Sequence, residues 1–387
     1  MIPIPTKHCC GCTACYNICP QKAIRMMSDA EGFVYPTVDY NLCISCGMCE
    51  KVCPVLHQPS LPEQYSDCEV VQNNDPEVLQ ESTSGGFLDA LYRYVLEKCN
   101  GSAVGVCFDE QFMPIHVVTD SYPKAKEFRN SKYAQSDLGT VFQKVKKLLA
   151  TETQVLFVGT PCQVAGLKAF LQKEYDNLIT ADLVCRSIPS PKLWKAYLKW
   201  QEERYKAKIA SVACRKKTYG YHSGTLEIYF DGGKRYRGSN RVDYFMKSFH
   251  HDICSRPSCY NCAFKTKHRC SDFTVFDSWN PQEVALAPLK DNDQGYSNVL
   301  VHTPKGKAIL GKLEKICVYK ADPEKMFCYT GGMESTSIVL PEERKTFYQD
   351  LERLGFERAV KKYVSVTPLD RMIEFAKPFR YAWKKRR

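Results

Sequence analysis

The sequence predicts a small α+β domain at the N-terminus, a larger α/β domain after it, and a helical segment at the C-terminus. Three observations support this fold class. A cysteine motif repeats in the N-terminal part, strand and helix patterns alternate through the middle, and apolar residues recur at helical spacing near the end. A chain of 387 residues is long enough for one small and one large domain. We place the boundaries at residues 1–60, 66–335 and 336–387.

The composition is typical of a folded protein, since 44% of the residues are hydrophobic and 12% are aromatic. No stretch reaches the roughly 18 apolar residues that a membrane helix needs, and the N-terminus lacks a signal-peptide pattern. We therefore expect a cytoplasmic protein without a transmembrane segment. The formal net charge of +11 attracts anionic partners of several kinds. No nucleic-acid-binding signature accompanies the charge, so a nucleic-acid partner is not expected.

The N-terminal motif has the spacing CxxCxxCxxxCP. Its first copy is Cys9, Cys12, Cys15 and Cys19 before Pro20, and its second copy is Cys43, Cys46, Cys49 and Cys53 before Pro54. In this motif three cysteines of one copy bind one [4Fe-4S] cluster and the fourth binds the other cluster. The sequence therefore predicts two clusters, the first held by Cys9, Cys12, Cys15 and Cys53, and the second by Cys43, Cys46, Cys49 and Cys19. This is the arrangement of a bacterial two-cluster ferredoxin.

Zinc is the alternative occupant of such cysteines, but zinc sites use two CxxC pairs rather than three cysteines at i, i+3 and i+6. Gly11 and Gly47 fit tight loops in which thiolates surround a cluster. We interpret Cys10 as an extra packed thiol whose side chain points away from the ligands. Residues 57–67 are polar and contain two prolines, which is typical of a linker.

Residues 82–98 begin with small hydroxyl and glycine residues and continue as an amphipathic helix. Two interpretations stay open for the residues Ser82, Thr83, Ser84, Gly85 and Gly86. They form either a cradle for a cofactor phosphate at the helix N-terminus or an ordinary N-cap with a glycine turn.

The next segments alternate as βαβ units. We predict strands at 103–108, 154–158 and 179–185, and a capped helix over Ser136–Ala150. Ligands in such sheets bind at the carboxyl ends of strands, where Cys162 and Cys185 fall. Residues 211–237 predict a β-hairpin that turns at Asp231-Gly232-Gly233.

A further CxxC motif is formed by Cys259 and Cys262, with Cys254 and Cys270 nearby. By itself it is compatible with zinc, a redox disulfide or half of a cluster site. Its presence in a chain with eight ferredoxin cysteines favours a third iron site.

Several segments in this order resemble one family. They are STSGGF at 82–87, SKYAQSDLG at 131–139, GTPCQVAGL at 159–167, LVCRSIPSP at 183–191, RPSCYNCAFK at 256–265 and SDFTVFDSW at 271–279. The chain resembles the beta subunits of coenzyme F420 hydrogenases and dehydrogenases, in a bacterial form with an N-terminal ferredoxin domain. The resemblance covers essentially the whole chain.

The resemblance implies that the larger domain binds a flavin, with FAD as the expected cofactor. It implies that Ser84, Gly85 and Gly86 hold the FAD diphosphate and that Lys132 and Gln135 lie near the flavin or the substrate. It also implies a third [4Fe-4S] cluster, with Cys162, Cys185, Cys259 and Cys262 as candidate ligands. A zinc site with the same ligands, or a metal-free site, is the alternative.

The chain departs from the family pattern at Cys185-Arg186-Ser187 and at Phe276-Asp277-Ser278-Trp279, where relatives have a glycine. We therefore expect a different substrate pocket and assign no specific electron acceptor. The resemblance alone does not imply use of the deazaflavin coenzyme.

The sequence thus predicts an iron–sulfur flavoprotein oxidoreductase that acts on a small organic substrate and exchanges electrons with a ferredoxin or reductase. The alternative is a non-catalytic electron-transfer subunit of a larger redox complex. The basic C-terminus RYAWKKRR is either a solvated tail or a peripheral contact with an acidic partner or an anionic membrane.

Overall fold

The structure is a computed structural model that describes residues 6–61 and 67–385. The N-terminal domain consists of α1 (Ala14–Ile18), β1 (Ile24–Ser28), β2 (Val34–Val38) and α2 (Met48–Lys51). The two strands are antiparallel, and Ile24 pairs with Val38. Each short helix directly follows a cysteine loop, so the repeated motif is also a repeated loop-and-helix unit. This agrees with the predicted α+β domain.

The larger domain contains an eight-stranded and a three-stranded sheet. Its strands are β3 (Asp67–Asn73), β4 (Ser102–Phe108), β5 (Pro114–Thr119), β6 (Val155–Gly159), β7 (Leu178–Leu183), β8 (Ile209–Lys216), β9 (Thr225–Phe230), β10 (Arg235–Ser239), β11 (Phe273–Ser278), β12 (Tyr296–Val301) and β13 (Ile316–Lys320).

The larger sheet has the strand order β13-β3-β12-β11-β7-β6-β4-β5. Its four central strands, β11, β7, β6 and β4, are parallel, and the outer strands are antiparallel. The carboxyl ends of β6, β7 and β11 therefore meet at one edge, where ligands of α/β sheets bind. The predicted α/β architecture is confirmed in this region.

Helices connect these strands, and further helices follow the last strand. They are α3 (Pro76–Glu81), α4 (Phe87–Arg93), α5 (Tyr122–Ala125), α6 (Val141–Ala150), α7 (Pro161–Leu171), α8 (Pro191–Tyr205), α9 (Tyr244–His250), α10 (Pro281–Val284), α11 (Pro304–Leu310), α12 (Pro323–Cys328), α13 (Arg344–Tyr363) and α14 (Pro368–Lys385). Of these, α13 and α14 lie in the C-terminal segment.

Two predicted boundaries are wrong. The helix predicted over Ser136–Ala150 begins only at Val141, because the backbone of Asp137 pairs with β5 through His116 and Pro114. The strand predicted to end at Cys185 ends at Leu183. The predicted hairpin is confirmed as β9 and β10, and β8 extends it to the three-stranded sheet.

Helix α13, the first helix of the C-terminal segment, packs into the same apolar core as α8, α9 and the three-stranded sheet. Phe347 and Ala359 are fully buried in it. This core also contains Phe33 and Tyr35 of the N-terminal domain, so the two ends of the chain share one packed interior.

One buried guanidinium joins the N-terminal domain to the larger one. Arg256 donates hydrogen bonds to the carbonyl oxygens of Cys9 (2.8 Å) and Val34 (3.0 Å), and to Oε1 of Gln135 (2.8 Å). It also lies over the ring of Tyr35. Nearby, Arg344 pairs with Glu31.

The predicted linker lies partly outside the described residues, since residues 62–66 are not described. In the described part, Gln58 donates a hydrogen bond to the carbonyl oxygen of Ala263 at 3.3 Å. Among the described residues, no helix has the length and apolar character required to cross a bilayer.

The two equivalent glycines of the repeat offer a matched test of the domain contact. Gly11 and Gly47 both have φ near +70°, with values of 73° and 71°, so alanine strains both loops alike. A Cβ at Gly11 would lie 2.6 Å from Gln135 and 3.0 Å from Arg256, whereas one at Gly47 would meet no heavy atom within 4 Å.

We predict that Gly11→Ala lowers the free energy of unfolding by about 1–3 kcal/mol more than Gly47→Ala, because only Gly11 is overpacked. Urea unfolding of both variants measures the difference. Protease cleavage between residues 57 and 66 should also become faster only in Gly11→Ala. Equal stability and equal cleavage rates would show that the contact does not hold the domains together.

Candidate metal centres

The first predicted set of ferredoxin ligands surrounds one cavity. Its lining includes Cys9, Cys12, Cys15 and Cys53. Burial raises the pKa of the Cys15 thiol to about 12, and neighbouring Cys9 and Cys53 add to the effect. Thiols crowded in this way lose their protons when cations bind them. The soft sulfur donors and the enclosed space fit an iron–sulfur cluster.

The second predicted set surrounds a separate cavity. Its lining includes Cys19, Cys43, Cys46 and Cys49. Cys46 is exposed, and the adjacent Gly47 has no other residue within 4 Å of its Cβ position. This set therefore lies at the surface, whereas Cys12 of the first set is buried.

Helix α7 packs directly on the first set. A Cβ at Gly166 would lie 2.7 Å from Cβ and 3.0 Å from Sγ of Cys12, so only glycine permits this approach. The same helix carries Cys162 in its first turn, next to the N-cap Thr160. Helix N-termini stabilise thiolates, which are the metal-binding form of cysteine.

The thiol of Cys10 lies beside those of Cys12 and Cys162, since each of these two thiols interacts with Cys10 strongly enough to shift its pKa. Cys10 also lines the first cavity. The expectation that its side chain points away from the ligands is therefore wrong, whereas Cys10 is a packed thiol as expected, because it contacts the core that contains Cys12. Sequence spacing gave no signal for the contact of Cys10 with Cys162 because α7 lies far away in the chain.

The four candidate ligands of the third cluster converge at the carboxyl edge of the large sheet. Cys162 follows β6 and Cys185 follows β7. The segment with Cys259 and Cys262 is held beside them, because Ser255 bridges to Pro189 and the Arg256 amide donates to the carbonyl oxygen of Ile188.

Electrostatic coupling confirms that these thiols are neighbours. Burial raises the pKa of Cys185 to about 12, and charges on Cys162 and Cys262 raise it further. Burial likewise raises the pKa of Cys259, with contributions from the other three cysteines. All four are partly exposed.

Two basic side chains lie beside these four cysteines. Lys265 lies close enough to Cys185, Cys259 and Cys262 to be affected by their charge, and its ammonium donates to the carbonyl oxygen of Cys185 at 2.6 Å. Arg269 is buried and donates to the carbonyl oxygen of Glu334 at 2.9 Å. Positive charges beside the cysteines offset the negative charge of a cluster that thiolates bind.

The other two cysteines near the CxxC motif, Cys254 and Cys270, have different surroundings. Cys254 is fully buried in the core, where its carbonyl oxygen accepts a hydrogen bond from Tyr348. Cys270 lies near Asp182 and Lys168.

A single zinc ion would need sulfurs within about 4 Å of one another, given Zn–S bonds of about 2.3 Å. No group of three or more His, Cys, Asp or Glu residues in the described parts of the chain is arranged to hold one metal ion. The same holds for both ferredoxin sets, so the cluster and the zinc site at the four cysteines both stay predictions.

The turn Ser82–Gly86 has its polar groups occupied by protein. Ser84 Oγ contacts Ser297 Oγ at 2.9 Å, and the Gly85 amide donates to the same oxygen at 3.0 Å. A Cβ at Gly85 would lie 2.3 Å from the carbonyl oxygen of Val71, and Gly86 has a positive φ of 76°. Close packing therefore explains both glycines without a ligand, and the diphosphate cradle stays a prediction.

Lys132 and Gln135 are also engaged within the protein. Lys132 donates to the carbonyl oxygens of Glu127, Arg129 and Asn130, and burial lowers its pKa to about 8. Gln135 is buried and accepts the hydrogen bond from Arg256. Their catalytic role stays a prediction.

Sequence reasoning missed Arg215, which lies at the end of β8 beside the family segments. It pairs with Asp277 at 2.7 Å, and its guanidinium lies over the ring of Trp279. Its Nη2 is buried without a hydrogen-bond partner in the described structure, as is Oγ of Ser278. Buried polar atoms of this kind need a further partner, such as a water molecule or a ligand. A basic residue in an ordinary strand carries no sequence signal for this role.

Comparison with known proteins supports the two-part organisation. Residues 8–56 match the 4Fe-4S dicluster domain family, and residues 152–325 match the family of the C-terminal part of the coenzyme F420 hydrogenase/dehydrogenase beta subunit. A 7Fe ferredoxin of Hydrogenibacillus schlegelii is 34% identical over 70 residues, which are 17% of this chain and 83% of the ferredoxin.

A longer match is the coenzyme F420-dependent sulfite reductase of Methanocaldococcus jannaschii, which is 24% identical over 322 residues. The match covers 79% of this chain but only 46% of that relative. Among solved structures, the F420-reducing [NiFe] hydrogenase complex of Methanosarcina barkeri contains a chain with 15% identity and a TM-score of 0.45, with coverage of 75% of this chain and 94% of that one.

Four of the six segments from which the resemblance was inferred lie within the beta-subunit match, and the two family matches confirm the resemblance. The dicluster match contains all eight cysteines of the repeated motif, and the beta-subunit match contains Cys162, Cys185, Cys259 and Cys262. The chain therefore combines a segment that matches the 4Fe-4S dicluster domain family with a segment that matches the coenzyme F420 hydrogenase/dehydrogenase beta subunit family.

Proposed function

We propose that the protein is an iron–sulfur oxidoreductase that passes electrons between [4Fe-4S] clusters and a flavin-type cofactor, FAD or a deazaflavin, acting on a small organic substrate. The observation that carries the proposal is the convergence of Cys162, Cys185, Cys259 and Cys262 next to the first ferredoxin set. When bound, the clusters supply one-electron transfer and the flavin supplies hydride exchange.

The candidate cluster ligands are arranged in series from the surface of the protein to its interior. The second ferredoxin set is exposed at Cys46, which suits a redox partner protein such as a ferredoxin or a reductase. The first set lies against α7, where Cys12 meets Gly166. Cys10 then lies between the neighbouring thiols of Cys12 and Cys162, both of which interact with it. The cysteines thus form a continuous series that leads to the carboxyl edge of the sheet.

For the flavin we propose the region around Arg215 at the same edge. Thr83 Oγ1 contacts Ser131 Oγ at 2.9 Å, and Asn130 is hydrogen-bonded to the backbone of Arg215. Three segments of the family pattern thereby meet here. The unpartnered Nη2 of Arg215 is suited to bind an acceptor oxygen of the cofactor or substrate.

A non-catalytic electron-transfer subunit is the second candidate. The long match spans less than half of the sulfite reductase, so the remainder of that relative has no counterpart in this chain. In that case a partner would perform the substrate chemistry.

We predict that the full-length protein contains about twelve iron atoms, as expected of three cubane clusters, and that Cys259→Ser or Cys262→Ser reduces this to about eight. Iron, sulfide and zinc analysis after anaerobic purification measures the change. The matched control is Cys254→Ser, which removes a nearby thiol outside the group and should leave the iron content unchanged.

Wild-type protein with about eight iron atoms, or with zinc lost on substitution of Cys262, would contradict the third cluster. The full chain is the appropriate sample because the N-terminal domain contributes to two cores of the larger domain.

For Cys10 we predict that alanine leaves the iron content unchanged but makes the potential of the first ferredoxin cluster more negative. The reason is that the Cys10 thiol lies beside Cys12 and is suited to donate a hydrogen bond to its sulfur, and such bonds stabilise the reduced, more negative cluster. A redox titration followed by electron paramagnetic resonance measures the shift. Loss of about four iron atoms would instead identify Cys10 as a ligand.

Flavin binding is tested by Arg215→Lys, which keeps a positive charge for Asp277 but removes the second guanidinium nitrogen. We predict that it lowers the flavin retained on purification without lowering the iron content. Gly86→Val would be a poor test, because Val78 and Asn73 leave no space for it whether or not a cofactor binds. Unchanged flavin content in Arg215→Lys would exclude this location, and a flavin-free wild type would favour the electron-transfer subunit.

A further inference from the structure

The C-terminal helix α14 has its polar side against the protein and its apolar side toward solvent. The polar side carries Asp370 and Glu374. Glu374 accepts hydrogen bonds from the amide (3.0 Å) and the hydroxyl (2.6 Å) of Ser239, and Asp370 pairs with Arg241 at 3.4 Å and Lys247 at 3.6 Å. This orientation is the reverse of that of an ordinary surface helix, which buries its apolar side.

The outward side is a continuous apolar stripe. Its large side chains, all exposed, are Leu369, Met372, Phe375, Phe379 and Trp383. At 3.6 residues per turn they fall within about one third of the helix circumference. An apolar face of this kind indicates an interaction surface.

The charge around the stripe identifies the partner. Residues 371–387 contain seven basic residues and one acidic residue, Glu374. The basic residues are Arg371, Lys377, Arg380, Lys384, Lys385, Arg386 and Arg387. A second copy of this segment would be repelled by the same charge, whereas an anionic bilayer surface complements both the charge and the apolar stripe.

An adjacent cavity provides an independent observation. It has a volume of about 520 Å³, and its lining includes Arg204, Arg235 and Arg371, Phe375 of α14, and the carboxylates of Glu357 and Glu374, which pair with Lys361 and Lys377. Within the described residues none of these three guanidinium groups has a carboxylate within 4 Å. Cations without counterions beside the apolar stripe favour a phosphate-bearing surface.

We propose that α14 docks the protein on an anionic membrane surface, with the stripe Leu369–Trp383 inserted among the lipid headgroups and Arg371 and Arg380 at its margins. The helix lies on the bilayer and does not cross it. This docking is independent of the proposed redox chemistry.

Cosedimentation of the full-length protein with vesicles tests the proposal. We expect binding to vesicles that contain phosphatidylserine, weaker binding at high salt, and little binding to pure phosphatidylcholine. Replacing Met372 and Phe379 together by serine should lower the partition coefficient about tenfold or more, because two apolar side chains lose their burial. Arg380→Gln should lower it about fivefold.

The matched control replaces Leu286 and Val339 by serine. These residues are 68% and 81% exposed but lie outside α14, so vesicle binding should not change. Iron content of each variant verifies that the protein is folded and keeps this test separate from the redox proposal.

Three results would overturn the proposal. Wild-type protein could fail to bind phosphatidylserine vesicles at low salt, or the Met372 and Phe379 variant could bind as well as wild type. Alternatively, sedimentation velocity could show a dimer that this variant dissociates, which would identify a second copy as the occupant of the stripe.

Discussion

The fold depends on the guanidinium of Arg256. Its nitrogens donate hydrogen bonds to the carbonyl oxygens of Cys9 and Val34 in the N-terminal domain. They also donate one to the side-chain oxygen of Gln135 in the larger domain. Arg256 also begins the segment that carries Cys259 and Cys262. One residue therefore connects the first ferredoxin loop to the CxxC motif. Because hydrogen bonds to a buried charge are strong and costly to leave unmade, this contact determines the relative position of both metal-binding regions.

Local patterns predicted much of the fold, because they depend on neighbouring residues. The ferredoxin repeat, strands β4 and β6 and the hairpin at Asp231 all follow from spacing and turn chemistry. The start of α6 did not, since the backbone of Asp137 bonds to β5 instead of continuing a helix. Tertiary pairing there outweighed the helical pattern.

The candidate site likewise has features that the sequence predicts and features that it does not. The convergence of Cys162 and Cys185 could be inferred from their positions after adjacent strands, whereas the contact of Cys10 with Cys162 depends on domain docking. In the turn Ser82–Gly86, by contrast, a sequence motif predicts a ligand where packing alone explains the residues. Its glycines match a cofactor motif, yet Val71, Asn73 and Val78 already require them for packing. A motif that has a structural cause cannot by itself identify a ligand.

The position of Gly166 explains why the cysteine series is compact. A side chain there would displace Cys12, so the absence of a Cβ lets the helix that carries Cys162 contact the first ferredoxin loop directly. The N-terminus of that helix also directs its partial positive charge toward Cys162. Lys265 and Arg269 lie near Cys185 and Cys262 and lower the pKa of both thiols. The four cysteines thus have a helix N-terminus and two basic side chains beside them, which is the electrostatic environment that several thiolates in one place require.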